Sequence, residues 1–163
     1  MSRVAAAGLP GFKEEQLFFH VHAHLDIFVD GQPVTIPQGI GIGGDPKVRY
    51  FTYQGRPVVG APQSPCRRPC VSPLHTHDAS GILHVENDKE RQITLEQFFT
   101  EWGVRFTPDC VGAYCAPEKA YKVYVGGKEY TGDPTGIVLK DQEEIALVIG
   151  TPPTTIPSKF PTG

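Results

Sequence analysis

The sequence has no long hydrophobic run, no excess of basic residues and almost no methionine. None of its apolar stretches approaches the roughly 20 residues that a membrane-spanning helix requires. Its 15 Lys and Arg residues are outnumbered by 18 Asp and Glu residues, and they form no stripe that could follow a nucleic acid or an anionic membrane surface. We therefore expect a soluble chain that neither binds nucleic acid nor inserts into a membrane.

Length and composition indicate one globular unit that is rich in turns. A chain of 163 residues can bury a hydrophobic core without help from a cofactor, so we predict a single domain over residues 1–163. The segments 1–12 and 151–163 are small, polar or proline-rich, which predicts loose ends around an ordered core of about residues 15–150. The chain begins without the apolar centre of a signal peptide, and we expect that any export signal has been removed or never existed.

Only four cysteines are present, and they form two local pairs, Cys66 with Cys70 and Cys110 with Cys115. An even number of cysteines in a loop-rich chain favours disulfides, although the three possible connectivities stay open. The alternative is a four-cysteine zinc site, whose paired cysteines are usually separated by two residues rather than by the three and four found here. We predict two disulfides and an extracytoplasmic location, which includes a periplasmic, secreted or membrane-tethered protein.

Apolar and polar residues alternate in short runs bounded by Gly, Pro and Asp, which is the pattern of β-strands and tight turns. The clearest run covers residues 17–29. The hairpin signal Asp30-Gly31 follows it, and proline places the return strand over 33–37 at a sheet edge. We predict further strands over the ranges 48–53, 74–77, 82–86, 122–125 and 144–149. The expected fold class is mainly β (α+β), with an antiparallel or mixed sheet.

One helix stands out, and we expect it to pack on the sheet. Thr94 and Gln97 form a capping box, and Gly103 is a stop signal. The apolar residues between these signals repeat at helical spacing and are predicted to be core: Leu95, Phe98, Phe99 and Trp102. The C-terminal stretch 121–149, with a hairpin around Gly126-Gly127 and a final strand, resembles the closing part of a ubiquitin-like β-grasp fold.

All six histidines fall in two short clusters, and the first is the segment His20-Val21-His22-Ala23-His24-Leu25-Asp26. On a strand its three imidazoles project from one face at intervals of about 6.5 Å, so neighbouring histidines can share one metal ion. His20 and His24 lie about 13 Å apart on an extended strand, too far for comfortable binding of one ion with bonds of about 2 Å. The strand therefore offers one pair of ligands and a spare, or parts of two sites.

The second cluster runs from His75 to Glu86 and contains a turn signal at 78–81 between two alternating arms. His75 and His77 share one face of the first arm, and His84 shares one face of the second arm with Glu86. If this hairpin lies beside the first cluster, two His-x-His pairs converge. A single such pair is usually an ordinary surface feature, but six histidines in two clusters and none elsewhere predict a bound transition metal in one shared centre.

The two clusters and the helix together resemble a family of bacterial secreted or membrane-tethered proteins of no established activity. These proteins share an HxHxH strand, an LHTHDxSGxxHVE motif and a TLxxFFxxWG helix, which correspond here to residues 20–24, 74–86 and 94–103. The likeness covers most of residues 17–150, and it implies an extracytoplasmic setting and a joint role for the two clusters. In ligand spacing alone, Phe19-His20-Val21-His22 is similar to the copper-binding strand of copper-zinc superoxide dismutases. A His-x-His pair with a distant histidine is similar to the zinc site of α-class carbonic anhydrases.

Histidine nitrogens with nearby carboxylates suit Cu(II), Zn(II), Ni(II) or Fe(II), and intrinsic affinity favours copper wherever it is available. Copper is thus the first candidate ion and zinc the second. The only methionine is Met1, so the thioether ligands of Cu(I) carriers are missing. A blue-copper centre would combine a cysteine such as Cys70 with histidines such as His75, but the axial methionine is absent and disulfides explain the cysteines better.

Three classes of function follow from a histidine-bound metal. The first is a protein that sequesters or delivers copper or zinc. The second is a metalloenzyme whose open coordination position activates water or an oxygen species. The third is a structural or interaction module in which the metal staples the strands together. Asp26, Asp78 and Glu86 would orient imidazoles or transfer protons, and orientation is the more frequent role. The predicted metal ligands are His20, His22, His24, His75, His77 and His84.

Overall fold

A computed structural model gives the structure of residues 1–60 and 64–162, and its main feature is a mixed β-sheet. The helices are α1 (Ser2–Ala6) and α2 (Leu95–Trp102), with a short 3-10 helix at Pro134–Gly136. The strands are β1 (Phe19–Val29), β2 (Gln32–Pro33), β3 (Arg49–Tyr53), β4 (Arg56–Gly60), β5 (Leu74–His75), β6 (Ile82–Asn87), β7 (Phe106–Thr107), β8 (Cys110–Val111), β9 (Tyr114–Cys115), β10 (Tyr121–Val125), β11 (Lys128–Glu129) and β12 (Glu143–Ile149). The predicted fold class, mainly β with a mixed sheet and one prominent helix, is confirmed.

Strand β1 lies in the middle of the sheet because it pairs with three other strands. Strand β12 runs parallel to it on one side, while β6 and β2 pair antiparallel with it on the other. The strand order is β11-β10-β12-β1-β6-β5, with β2 beside β1. The hairpin β10–β11 leads to β12, which pairs antiparallel with β10 and parallel with β1.

The two faces of β1 have different chemistry, as the period of two in its sequence predicts. The apolar residues of one face are buried: Val21, Ala23, Leu25 and Ile27. They belong to one hydrophobic cluster with apolar residues of β6, β12 and α2. The opposite face carries the histidines of the first cluster. Burial of the apolar face therefore decides which way the imidazoles point.

Helix α2 begins and ends at the predicted signals. The Thr94 hydroxyl accepts a hydrogen bond from the backbone N–H of Gln97, and the Gln97 side chain accepts one from the backbone N–H of Thr94. Gly103 ends the helix in the left-handed conformation, with φ of 80°. Near this end, Arg3 of α1 donates a hydrogen bond to the Trp102 carbonyl, which satisfies one of the free carbonyls of the last turn.

The chain between β2 and β5 contains the hairpin β3–β4, which turns at Gln54-Gly55 with both residues at positive φ. Strand β4 escaped prediction because its sequence, Arg-Pro-Val-Val-Gly, has no polar–apolar alternation. Its Val59 is fully buried. The backbone N–H of Val59 donates a hydrogen bond to the His77 carbonyl, and His77 Nδ1 donates one to the Val59 carbonyl. The hairpin is therefore fastened to the second histidine cluster.

The four cysteines form the two predicted disulfides, and the structure gives their connectivity as Cys66–Cys70 and Cys110–Cys115. All four cysteines lie in the described part of the chain, and none of them is free. The zinc site of four cysteines and the blue-copper centre therefore have no thiolate to use. Two disulfides are compatible with an extracytoplasmic location.

Within residues 1–60 and 64–162, no helix combines the length and the apolarity that a membrane crossing requires. The proline-rich tail predicted over 151–163 is described up to residue 162 and has no regular secondary structure there. Residues 61–63 and Gly163, which the single-domain prediction includes, lie outside the described residues.

Candidate metal centre

Three neighbouring strands carry histidines on the face of the sheet opposite the core. Strand β6 lies between β1 and β5, and the register places His22 opposite His84 and His84 opposite His75. Further along β1, His20 lies opposite Glu86. Two His-x-His pairs therefore flank His84 and Glu86 of β6, one pair from each side.

Backbone carbonyls fix the tautomers of the pair formed by His75 and His77. Nδ1 of the fully buried His75 lies 2.9 Å from the carbonyl oxygen of Ser72, and Nδ1 of His77 lies 2.7 Å from that of Val59. A carbonyl oxygen only accepts, so both Nδ1 atoms carry the hydrogen and donate it. The Nε2 atom of each neutral ring then bears a lone pair, which is the usual state of a metal-binding histidine.

The two Nε2 atoms of His75 and His77 face each other at 3.2 Å. While both rings are neutral, neither has a hydrogen on Nε2, so neither can donate to the other, and two lone pairs at this distance repel. An ion with bonds to nitrogen of about 2.05 Å at tetrahedral angles holds two nitrogens about 3.3 Å apart. The observed separation is thus close to the one that a shared metal ion would produce.

The pair on β1 has a similar geometry. Nε2 of His20 and Nε2 of His22 are 3.1 Å apart. The Oε1 atom of Glu86 lies 3.2 Å from His20 Nε2 and 3.4 Å from His84 Nδ1. The rings of His22 and His84 meet edge to face, with their centroids 4.5 Å apart. Three nitrogens and one carboxylate oxygen therefore gather on this side of β6 as well.

The candidate ligand atoms form two overlapping sets, and within each set all atoms lie within 4.8 Å of one another. One set contains His20, His22, His84 and Glu86, and the other contains His75, His77, His84 and Glu86. Ligands on opposite sides of one ion are about 4.2 Å apart when each bond is about 2.1 Å, so small side-chain movements would close either set around an ion.

Burial and mutual repulsion favour the neutral form, which binds metals, in three of the imidazoles. Burial, helped by the neighbouring His77, lowers the pKa of His75 to about 3. Burial and nearby imidazoles also lower the pKa of His22 and that of His84. Burial works the other way on Glu86, but the surrounding histidines outweigh it and lower the pKa of this carboxyl to about 2. At neutral pH His22, His75 and His84 therefore present neutral nitrogens beside a carboxylate ion.

The third histidine of the first cluster, His24, lies apart from the other five. Its Nδ1 is 2.7 Å from Glu144 Oε2, and its Nε2 is 2.8 Å from the carbonyl oxygen of Ser80. Burial opposes a charge on this ring, but Glu144 and the Ser80 carbonyl outweigh burial and raise the pKa of His24. His24, Asp26 and Glu144 form a third set of possible ligands, yet both nitrogens of His24 already face hydrogen-bond acceptors.

The turn that leads into β6 explains the position of Asp78 and the need for a glycine. Asp78 accepts a hydrogen bond from the backbone N–H of Ser80, so its carboxylate shapes the turn. Gly81 has φ of 87°, and a Cβ atom there would lie 2.6 Å from the Leu25 carbonyl oxygen and 2.9 Å from His24 Nε2. Only glycine allows this approach to β1.

Three carboxylates were predicted to orient imidazoles or transfer protons: Asp26, Asp78 and Glu86. The structure places only Glu86 among the five clustered histidines.

Two carboxylates near the histidines escaped prediction. Glu15 Oε1 lies 3.5 Å from His77 Nε2. It precedes β1 in an irregular segment, where no local pattern marks it. Glu144 lies opposite His24 in the parallel register of β1 and β12, so a correct pairing of those two strands would have revealed it.

A groove of about 970 Å³ opens onto the centre at His77 and His84. Its other wall is the hairpin β3–β4, which contributes Arg49 and the aromatic rings of Tyr50 and Phe51. Both rings are exposed to solvent. A molecule larger than water can therefore reach this side of the centre.

The structure thus shows buried histidine and glutamate side chains in positions suited to a metal ion. The donors come from three strands, and the cysteines take no part because they are oxidised. No protein-family model, curated protein or solved structure is significantly similar to this chain.

Proposed function

We propose that this chain is an extracytoplasmic protein that binds a transition metal, copper first and zinc second, through the histidines of the two clusters. The observation that carries the proposal is the contact between His75 and His77. Their Nε2 atoms face each other at 3.2 Å while carbonyl oxygens hold both Nδ1 hydrogens. A cation between the rings relieves the repulsion. Burial lowers the pKa of His75 and so disfavours a proton on that ring.

The donor set supports the choice of ion. Imidazole nitrogens with one carboxylate suit Cu(II) and Zn(II), and among divalent ions copper has the higher intrinsic affinity for such sites. Soft ligands are missing, since the cysteines are paired and the only methionine is Met1. The disulfides also support an oxidising compartment, in which copper is available as Cu(II).

Metal retention tests the proposal directly. Protein stripped with a chelator, loaded with Cu(II) or Zn(II) and then desalted should retain at least one ion per chain by elemental analysis, because several neutral imidazoles converge on the site. The variant His77→Ala should bind the ion at least about tenfold more weakly, since it loses a ligand from a partly exposed position. Retention of no ion by the wild-type protein, or equal affinity in the variant, would contradict the proposal.

A second candidate function, a metalloenzyme, is favoured by the groove at His77 and His84. Its walls and exposed aromatic rings provide a place for a substrate next to the centre. Catalysis by a bound ion requires an open coordination position. Glu15, which lines the groove with its Oε1 3.5 Å from His77 Nε2, would then be the carboxylate placed for proton transfer.

Binding of a small anion distinguishes this enzyme from a closed carrier. Azide added to the copper-loaded protein should shift the visible absorption spectrum in a saturable way if a coordination position exchanges with solvent. Zinc-loaded protein serves as the spectroscopically silent control. A copper spectrum that does not respond to azide would contradict the metalloenzyme function and would favour a protein that only binds the metal.

A further inference from the structure

We infer that the centre holds two metal ions, bridged by the carboxylate of Glu86. This inference rests on the proposed metal binding and adds the number of ions and their arrangement. It starts from the number of donors. Five imidazoles and one carboxylate surround the same point of the sheet, whereas a zinc or copper site in a protein usually takes about four ligands.

The arrangement of the strands separates the donors into two groups. Strand β6 lies between β1 and β5, and neighbouring strands are about 4.8 Å apart. His22 of β1 and His75 of β5 therefore start from backbones about 9.6 Å apart. Their ligand atoms accordingly form two sets that overlap only in His84 and Glu86. Two ions about 3.5–4 Å apart, as in other two-metal sites, fit this arrangement better than one.

The carboxylate of Glu86 has one oxygen for each group. Its Oε1 lies 3.2 Å from Nε2 of His20 on one side, and its Oε2 lies 3.8 Å from Nε2 of His75 on the other. Glu86 is only 4% exposed, and its Oε2 accepts no hydrogen bond from the part of the chain that the structure describes. A buried carboxylate oxygen without a donor is costly. An ion held by His75 and His77 supplies the missing partner.

The residue His84 lies in both sets and completes the assignment. It is the middle member of the row His22, His84 and His75 across the three strands. Its ring lies 4.5 Å from that of His22 and 4.4 Å from that of His77, measured between centroids. Each ion thus receives two nitrogens from its own His-x-His pair and one oxygen of Glu86, and His84 is within reach of both.

Copper titration followed by electron paramagnetic resonance tests the bridge. The metal-free full chain is titrated with Cu(II), and bound copper is measured by elemental analysis. We expect two coppers per chain, with an integrated spin well below the copper content once the second ion is bound, because a bridging carboxylate couples two Cu(II) ions magnetically. The variant Glu86→Gln should lose this deficit, so that its spin equals its bound copper. Glu143→Gln, which alters a partly buried carboxylate outside all three sets of possible ligands, is the matched control and should behave as the wild type.

Each outcome bears on a different claim. One copper per chain with full spin would overturn the two-ion centre and leave the proposed metal binding intact. Two coppers with full spin in the wild type would overturn the bridge. A wild-type chain that retains no copper would remove the proposed function as well. The ratio of integrated spin to bound copper in the wild type distinguishes a bridged pair from separate ions. The test therefore holds even if Glu86→Gln fails to fold.

Discussion

Replacement of His84 by alanine is expected to lower the affinity for Cu(II) or Zn(II) by about 100-fold or more, since even the loss of residues that merely support a ligand costs about 10–100-fold. His84 belongs to both sets of ligand atoms, whereas each of the other four clustered histidines belongs to one. Its loss therefore weakens both sides of the centre. Competition with a chromophoric chelator at fixed pH measures the change in affinity.

The matched control is His24→Ala, which removes a histidine of the same sheet face outside both shared sets. His24 is held by Glu144 and the Ser80 carbonyl. The variant should keep the wild-type metal affinity while losing thermal stability, because Glu144 remains buried without its partner. Circular dichroism confirms that both variants fold. An equal loss of affinity in His24→Ala and His84→Ala would show that the two groups of histidines are not separate.

The titration of Glu101 in helix α2 is expected to lower the free energy of unfolding as the pH rises from about 4.5 to about 8, whereas the lowered pKa values of the clustered histidines act in the opposite direction. This side chain is 4% exposed, and its Oε1 accepts a hydrogen bond of 2.5 Å from the Ser72 hydroxyl. Burial outweighs that hydrogen bond and raises the pKa of Glu101 to about 8 from its ordinary value of 4.5. At this residue the folded chain thus binds more protons than the unfolded chain between these pH values. At about 1.4 kcal/mol per pH unit, the stabilisation present below pH 4.5 and lost by pH 8 is about 5 kcal/mol.

The variant Glu101→Gln removes this titration. Its free energy of unfolding should therefore rise relative to that of the wild type as the pH increases from 4.5 to 8, and denaturant melts at several pH values measure the difference. Glu96→Gln is the control, because Glu96 lies on the same helix but is exposed. The difference in free energy of unfolding between Glu96→Gln and the wild type should stay constant from pH 4.5 to 8. A constant difference for Glu101→Gln would show that Glu101 is already ionised in the folded protein.

Elements with strong local signals were predictable from the sequence, and elements defined by distant contacts were not. The alternation of residues 17–29 and the capping box at Thr94 located β1 and α2 to within two residues. The two-residue strands β7, β8 and β9 are too short to show a period. The parallel pairing of β1 with β12 joins residues more than about a hundred positions apart, and no local pattern contains that information.

The composition of the centre was predictable in part. Six histidines in two clusters indicated a joint site, and the structure brings five of them together. The position of Glu86 between the two pairs depends on the order of β1, β6 and β5, which residue spacing does not determine. His24 lies apart because the turn at Ser80 and the strand containing Glu144 supply acceptors for both of its nitrogens. Both contacts come from segments remote in sequence.

The short reach of the two disulfides has a thermodynamic consequence. The bridges span sequence separations of only 4 and 5 residues. In the chain-entropy picture, closing so short a loop destabilises the unfolded ensemble by about 2 kcal/mol, against almost 5 kcal/mol for a loop of about a hundred residues. The bridges therefore act as local clamps, and Cys66–Cys70 packs in the same small cluster as Val59, whose carbonyl orients His77. Segments far apart in the chain are held by the sheet and its core, while the Cys66–Cys70 bridge belongs to the small cluster that carries the carbonyl partner of His77.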